Sequence, residues 1–219
     1  MILPLCRPAA TLGALWLVFC GTPLLPVAFA QKAPAASDSA SALVAEIRRS
    51  FTIRGKTIPP EIFRDFGDGD LADSGAIWVT VDAAAAIGSN LYFDPIREDG
   101  QWWIQRKQRS TTDVPEETAY EFYGATANGL LVVLASYNGG GSGTFYSLHI
   151  VDVAAAAGID IEGKRYQRIN LTNIRTVILG DRWQGELKIS GSAVRVITTR
   201  NGPADDSARP PFTIIAERP

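Results

Sequence analysis

The chain holds a single histidine, His149, inside the run Ser147-Leu148-His149-Ile150-Val151-Asp152. Serine hydrolysis needs a hydroxyl, an imidazole to accept its proton and an acid to orient the ring. Ser142 or Ser147 as nucleophile, with Asp152 as orienter, make the one set of that kind on offer. The run reads as a strand in which Ser147 and His149 share one face, opposite Leu148 and Ile150. Two residues apart on one strand face, they do not take up the in-line nucleophile–base geometry of a triad. The nearest match to a nucleophile elbow, Gly140-Gly141-Ser142-Gly143-Thr144, is shifted and leads into a strand rather than a helix. His149 is therefore expected to be structural, and no catalytic residue is assigned. One imidazole without thiolates leaves zinc only carboxylates, so neither a metal site nor a cofactor is expected.

The Gly-rich stretch 139–143 invites a phosphate-loop reading. Such a loop needs Gly-Lys-Ser/Thr opening a helix, or G-x-G-x-x-G between strand and helix. Here no lysine follows and the next element is β, so the stretch reads as a wide turn. The acidic run Asp65-Phe-Gly-Asp-Gly-Asp-Leu-Ala-Asp-Ser74 keeps carboxylates at the first and ninth positions of a calcium loop, Asp65 and Asp73. Gly67 and Gly69 stand at the third and fifth, where oxygen ligands must converge on the ion. It reads as an acidic turn whose aspartates bond their own backbone amides.

A glycosidase needs two carboxylates facing across a cleft. Glu116, Glu117, Glu121 and Asp181 are candidates, but nothing in the sequence brings two of them together. Trp78, Trp102, Trp103, Trp183, Tyr92 and Tyr120 could stack on sugars, or fill a core and pair across strands. Trp102-Trp103 followed by Arg106, Lys107 and Arg109 makes the best surface patch for an anionic partner such as an envelope polymer. Trp102, Trp103, Arg106 and Lys107 are thus the candidate binding residues.

Residues 1–30 read as a signal peptide. Arg7 is their only charge, an apolar run extends from Leu12 through Ala30, and Ala28-Phe29-Ala30 supplies the small-x-small cleavage pattern. Pro23 and Pro26 interrupt the run and argue against a spanning anchor. Cleavage is expected between Ala30 and Gln31, giving a periplasmic or extracellular protein with no membrane span after signal removal. Lipid attachment at Cys20 would require a small residue where Phe19 stands. Both cysteines, Cys6 and Cys20, fall in this segment, so the mature chain is expected to carry no disulfide and no thiolate nucleophile. The net charge of −2, more negative without Arg7, gives no reason to expect nucleic acid as a partner.

Residues 31–41, mostly Ala, Pro and Ser, are expected to be a disordered leader, and 42–219 a single β-rich domain. Residues 41–49 can form two turns of helix with Leu43, Val44 and Ile47 on one side and Ser41 as cap. Residues 51–58 alternate apolar and polar as a strand does. Strands are also expected at 76–82, 91–93, 101–105, 120–125, 130–137, 144–153, 185–190, 192–198 and 212–216, with a bent strand across 166–178. Asn128-Gly129 marks a tight hairpin turn. One echo stands out: a strand ending in Asp82 precedes four alanines and a glycine, and the strand ending in Asp152 precedes Val153, four alanines and a glycine. Both read as strand, Asp cap and short helical turn.

Asn138-Gly-Gly-Gly-Ser-Gly-Thr-Phe-Tyr146, then Leu179-Gly-Asp-Arg-Trp183, a hairpin over 187–197, and Asn201-Gly-Pro-Ala-Asp205 follow one another in order. That order resembles a group of secreted bacterial proteins and lipoproteins, of which the mycobacterial LppP/LprE-type lipoproteins are one branch. The resemblance covers roughly the last 90 residues. It implies an exported, mainly β domain and no particular reaction. The chain departs from the group in lacking an acceptable lipobox and the cysteines that often follow the G-P-x-D segment. The expected fold is a single antiparallel β-sandwich or partly open barrel with one or two short helices. The expected role is a non-enzymatic binding or structural protein of the bacterial envelope, whose partner is an envelope polymer or a protein. The alternative is a hydrolase or a carbohydrate-binding module acting on cell-envelope polymer.

Overall fold

The computed structural model describes residues 36–66, 79–88, 95–107, 114–200 and 210–218. In chain order these form α1 (Ala36–Ser50), β1 (Thr52–Ile53), β2 (Lys56–Thr57), α2 (Ile62–Phe66), β3 (Val79–Asp82) and α3 (Ala83–Gly88). Then come β4 (Ile96–Asp99), β5 (Trp102–Lys107), β6 (Glu116–Ala125), β7 (Leu131–Asn138), β8 (Phe145–Ile159) and β9 (Arg165–Asp181). β10 (Gln184–Ser190), β11 (Ala193–Arg200) and β12 (Phe212–Ile215) complete the chain. The signal segment, the acidic loop beyond Phe66, Trp78, the strand expected at 91–93, Arg109 and the G-P-x-D segment lie outside the described residues.

The fold is mainly β, as the alternation requires. Seven strands form one open antiparallel sheet in the order β3-β9-β8-β7-β6-β5-β4, and β10-β11-β12 form a second. The Gly-rich turn brings β7 and β8 side by side, with Leu131 opposite Val151 and Tyr137 opposite Phe145. Period-two alternation then sorts the side chains into two cores. Tyr120, Leu131, Val133, Val151, Ile169 and Leu171 face Ile47, Phe51, Ile58 and Phe63, from α1, α2 and their connection. Val132, Leu134, Leu148 and Ile150 face Leu187, Val194, Val196 and Ile214 of the three-stranded sheet. The large sheet is therefore sandwiched, with strands on one side and helices on the other.

Local expectations fare unevenly. α1 begins at Ala36, inside the stretch 31–41 expected to be a disordered leader, and Ala40 is already buried. Ser41 lies inside the helix rather than at its start. Residues 51–58 do not run straight. Arg54 and Gly55 take φ of 52° and 71°, the tight hairpin turn that folds β1 onto β2. Glu46 holds that turn, accepting the amides of Arg54 (3.0 Å) and Gly55 (2.8 Å). The partner of β5 is β4, with Asp99 opposite Trp102.

The two halves of the alanine echo part company. Asp82 caps α3 as expected, accepting the amides of Ala84 (3.2 Å) and Ala85 (3.3 Å). The same carboxylate accepts the hydroxyl of Tyr166 (3.0 Å) and the amide of Ile169 (3.3 Å), and Arg168 lies 3.4 Å away. After Asp152 no helix forms. Ala154–Ala157 continue β8 and pair with Asn170–Gln167 of β9. Asp152 instead pairs with the Arg218 guanidinium through Nη2 (3.0 Å) and Nε (3.2 Å). Tertiary pairing overrides the helix preference of alanine where a partner strand is already in place.

Asp82→Ala removes a cap and the anchor of two β9 side chains at once. It is expected to destabilise the protein by about 2 kcal/mol in urea unfolding, while Thr80→Ala on the same strand costs under about 1 kcal/mol.

Candidate functional site

Strand pleating separates the four binding residues expected from sequence. Trp102 packs with the core shared by the two sheets, whereas Trp103 packs with the helical side. Arg106 follows the parity of Trp102 and Lys107 that of Trp103, so the four do not form one patch. Arg106 is held by Glu117 at 2.6 Å, and Lys107 stands 4.0 Å from Glu61.

What gathers round Trp102 is a shelf that sequence order conceals. Tyr146 of β8 meets the Trp102 ring edge-on, with centroids 6.0 Å apart, and Trp183 continues the row at 6.3 Å from Tyr146. The floor is small: the register sets Ile104 opposite Ala119, Ala119 opposite Ser136, and Ser136 opposite Tyr146. Trp102 and Tyr146 are partly exposed, while Trp183 is buried and donates its Nε1–H to Thr198 Oγ1 at 2.9 Å. Burial and the nearby Glu117 carboxylate raise the Tyr146 hydroxyl pKa. Beside Trp102, Glu121 is raised by burial, and Tyr123, which donates to it, is pushed up to about 12 by burial and that carboxylate. Aromatic faces, carboxylates and the Arg106 guanidinium thus border one surface. It can stack on a ring and hydrogen-bond hydroxyls around it. Register arithmetic on Trp102 would have placed Glu121 beside it and Trp103 behind it. Tyr146 and Trp183 needed the strand order.

The candidate carboxylates of β6 do not have glycosidase spacing. Glu116 faces the helical side and pairs with Arg64 at 3.1 Å. Glu117 and Glu121 lie four residues apart on β6, roughly 13 Å along the strand, too far for either glycosidase geometry.

His149 is fully buried beneath Phe63 and Phe66, whose rings lie 5.3 Å and 6.1 Å from the imidazole. Contrary to the sequence expectation, Ser147 does reach it: Ser147 Oγ and Nε2 are 2.8 Å apart. Two strand residues step only about 6.6 Å, a gap the imidazole spans. The Nδ1 side faces Asn173 Oδ1 (3.4 Å) and Thr176 Oγ1 (3.3 Å), and Asn173 Nδ2 donates to Thr176 Oγ1 (2.8 Å). A proton on Nδ1, with Ser147 donating to Nε2, satisfies the network. Asp152 has the wrong parity for the orienting role and serves Arg218 instead. Desolvation lowers the His149 pKa to about 4, opposed only by the Asn173 hydrogen bond, so the ring is neutral at physiological pH.

The Gly-rich turn is clasped by the last residue of β9 and the one that follows it. Asn138 Oδ1 accepts the Gly140 amide at 2.8 Å, and Gly140 takes φ of 90° with no room for a side chain, since a Cβ would stand 2.7 Å from Val114 O. Asp181 Oδ1 accepts the Thr144 amide at 2.8 Å, the Arg182 amide donates to Thr144 O at 2.7 Å, and the Arg182 guanidinium donates to Ser142 O. Asp181 and Arg182 also form an ion pair with one another at 4.0 Å. Ser142 is accordingly remote in role from His149. Among the described residues no cluster of His, Cys, Asp and Glu could hold a metal ion, and no helix is long and apolar enough to cross a membrane.

The chain matches no known family model, no curated protein and no solved structure.

The lowered His149 pKa fixes a sign. Below its ordinary 6.5 the unfolded histidine binds a proton that the folded one refuses until about pH 4. The His149 contribution is therefore complete above pH 6.5 and is lost as pH falls toward 4, by on the order of 3 kcal/mol. Urea unfolding between pH 7.5 and 4 is expected to show that much more loss in the wild type than in His149→Gln.

Proposed function

We propose that the protein is a non-catalytic, exported binding protein of the bacterial envelope, whose ligand-facing surface is the shelf of Trp102 and Tyr146 beside the Arg106–Glu117 pair. The observation that carries this reading is the contrast between its two chemical centres. His149 is fully buried under Phe63 and Phe66, and Ser147 beside it is half-buried. The aromatic shelf is partly open and is bordered by carboxylates and a guanidinium. Partly exposed aromatic residues with polar neighbours suit the alternating apolar and hydroxylated faces of a glycan. An envelope polysaccharide or peptidoglycan strand is the ligand class this surface favours, and the signal peptide read over residues 1–30 supports the compartment.

A second reading rests on one contact. Ser147 Oγ at 2.8 Å from His149 Nε2, with Asn173 on the far nitrogen, is the hydrogen-bond order of a serine nucleophile and its base. A serine-directed fluorophosphonate that labels the protein, and fails to label Ser147→Ala, would establish a hydrolase in place of the binding role.

Trp102→Ala is expected to weaken retention of the folded protein on immobilised peptidoglycan or polysaccharide by about five- to tenfold, with some loss of stability because the ring also packs on the core between the sheets. Trp103→Ala, on the other face, is expected to lower the melting temperature and leave the affinity of the folded protein unchanged.

A further inference from the structure

We propose that the protein pairs with a second copy of itself through the free edge of β8, over Ala155–Ile159, in an antiparallel two-fold arrangement centred on Ala157. β7 accompanies β8 only as far as Val151, yet β8 and β9 run on together to Ile159 and Arg165. From residue 152 onward the side of β8 away from β9 therefore has no strand beside it among the described residues.

Which backbone groups point outward follows from two observations. The Val153 carbonyl accepts from Arg48 Nη2 (3.4 Å) and the Val153 amide donates to Asp152 Oδ1 (3.0 Å), so neither is directed at β9. The amide of Ile169, which lies opposite Ala155, turns toward Asp82 rather than β8. Antiparallel ladders alternate strictly between bonded and non-bonded pairs. Val153, Ala155, Ala157 and Ile159 thus carry outward N–H and C=O groups, while Ala156 and Gly158 spend theirs on β9. Val153 is already satisfied, which leaves Ala155, Ala157 and Ile159.

Several of the protections that keep sheet edges apart are missing here. Between Val153 and Ile159 there is no charge, no proline and no bulge. The occupant is a second copy because the edge is complementary to itself. About Ala157 the two-fold sets Ile159 of each copy against Ala155 of the other, large against small, and opposes no like charges. Centring on Ala157 uses all three outward residues, whereas centring on Ala156 or Gly158 pairs only two of them. Four alanines and a glycine offer no side-chain pockets by which a foreign strand would be selected. Self-pairing also covers apolar surface at the ribbon tip, where Ile159 is 69% and Ile161 97% exposed.

The test is the mass of the full chain, processed as it exists after export, measured by light scattering across a concentration series. Wild type is expected to shift from one to two chain masses as concentration rises. Ala157→Pro removes only an outward N–H and is expected to remain monomeric with a near-native melting temperature, whereas Ala156→Pro, which removes a ladder bond to β9, unfolds the ribbon. Ala157→Lys sets two cations face to face on the axis and is likewise expected to be monomeric, without relying on proline geometry. A wild type that stays monomeric throughout, or a dimer that persists in both Ala157 variants, would overturn the proposal.

Discussion

The pairing of β8 with β9 is the constraint on which most other placements depend. β8 is 15 residues long and is matched to β9 along its whole length, from Phe145 opposite Asp181 to Ile159 opposite Arg165. Its shifts at Tyr146/Ser147 and Ile150/Val151 bend the ladder while keeping both faces apolar through the middle. One end of the ladder meets the Gly-rich turn, and the other projects past β7. Along one face lie Val151 and Val153 under α1, and along the other Leu148 and Ile150 under the three-stranded sheet.

Polar groups were placed by this ladder as firmly as apolar ones. His149 is fully buried because its neighbours Leu148 and Ile150 must face the other core, and a buried ring has to be neutral or paired. Ser147, Asn173 and Thr176 supply partners from β8 and β9. Asp82 does the equivalent at the outer strand, joining α3, Tyr166 and Arg168 to β9. Each is a site where removing one partner leaves others buried or unpaired, and this is why their loss should register in stability first.

Much of the architecture was legible in the sequence, because period-two alternation and turn residues carry strand identity directly. The Asn128-Gly129 hairpin, the β10–β11 hairpin and the side-by-side placement of β7 and β8 were all readable that way. Parity, applied to Trp102 and Trp103, would have separated them at once. Three features were not legible. The Ala154–Ala157 run looked helical because local propensity cannot register a partner strand 10 to 16 residues onward at Asn170–Gln167. Tyr146 and Trp183 joined Trp102 only once strand order was known. The burial of Ala40 and Ile47 in α1 depended on a sheet face contributed by residues far along the chain, among them Tyr120, Val151 and Leu171.

The central claim, that the β8–β9 ladder overrides local preference and extends unbroken to Ile159, is tested most directly by the 13Cα and 13Cβ chemical shifts of the two alanine runs. Ala83–Ala86 should carry helical shifts and Ala154–Ala157 extended ones, despite their shared composition. Helical shifts in both runs would contradict the ladder and return the second run to the role its sequence suggests.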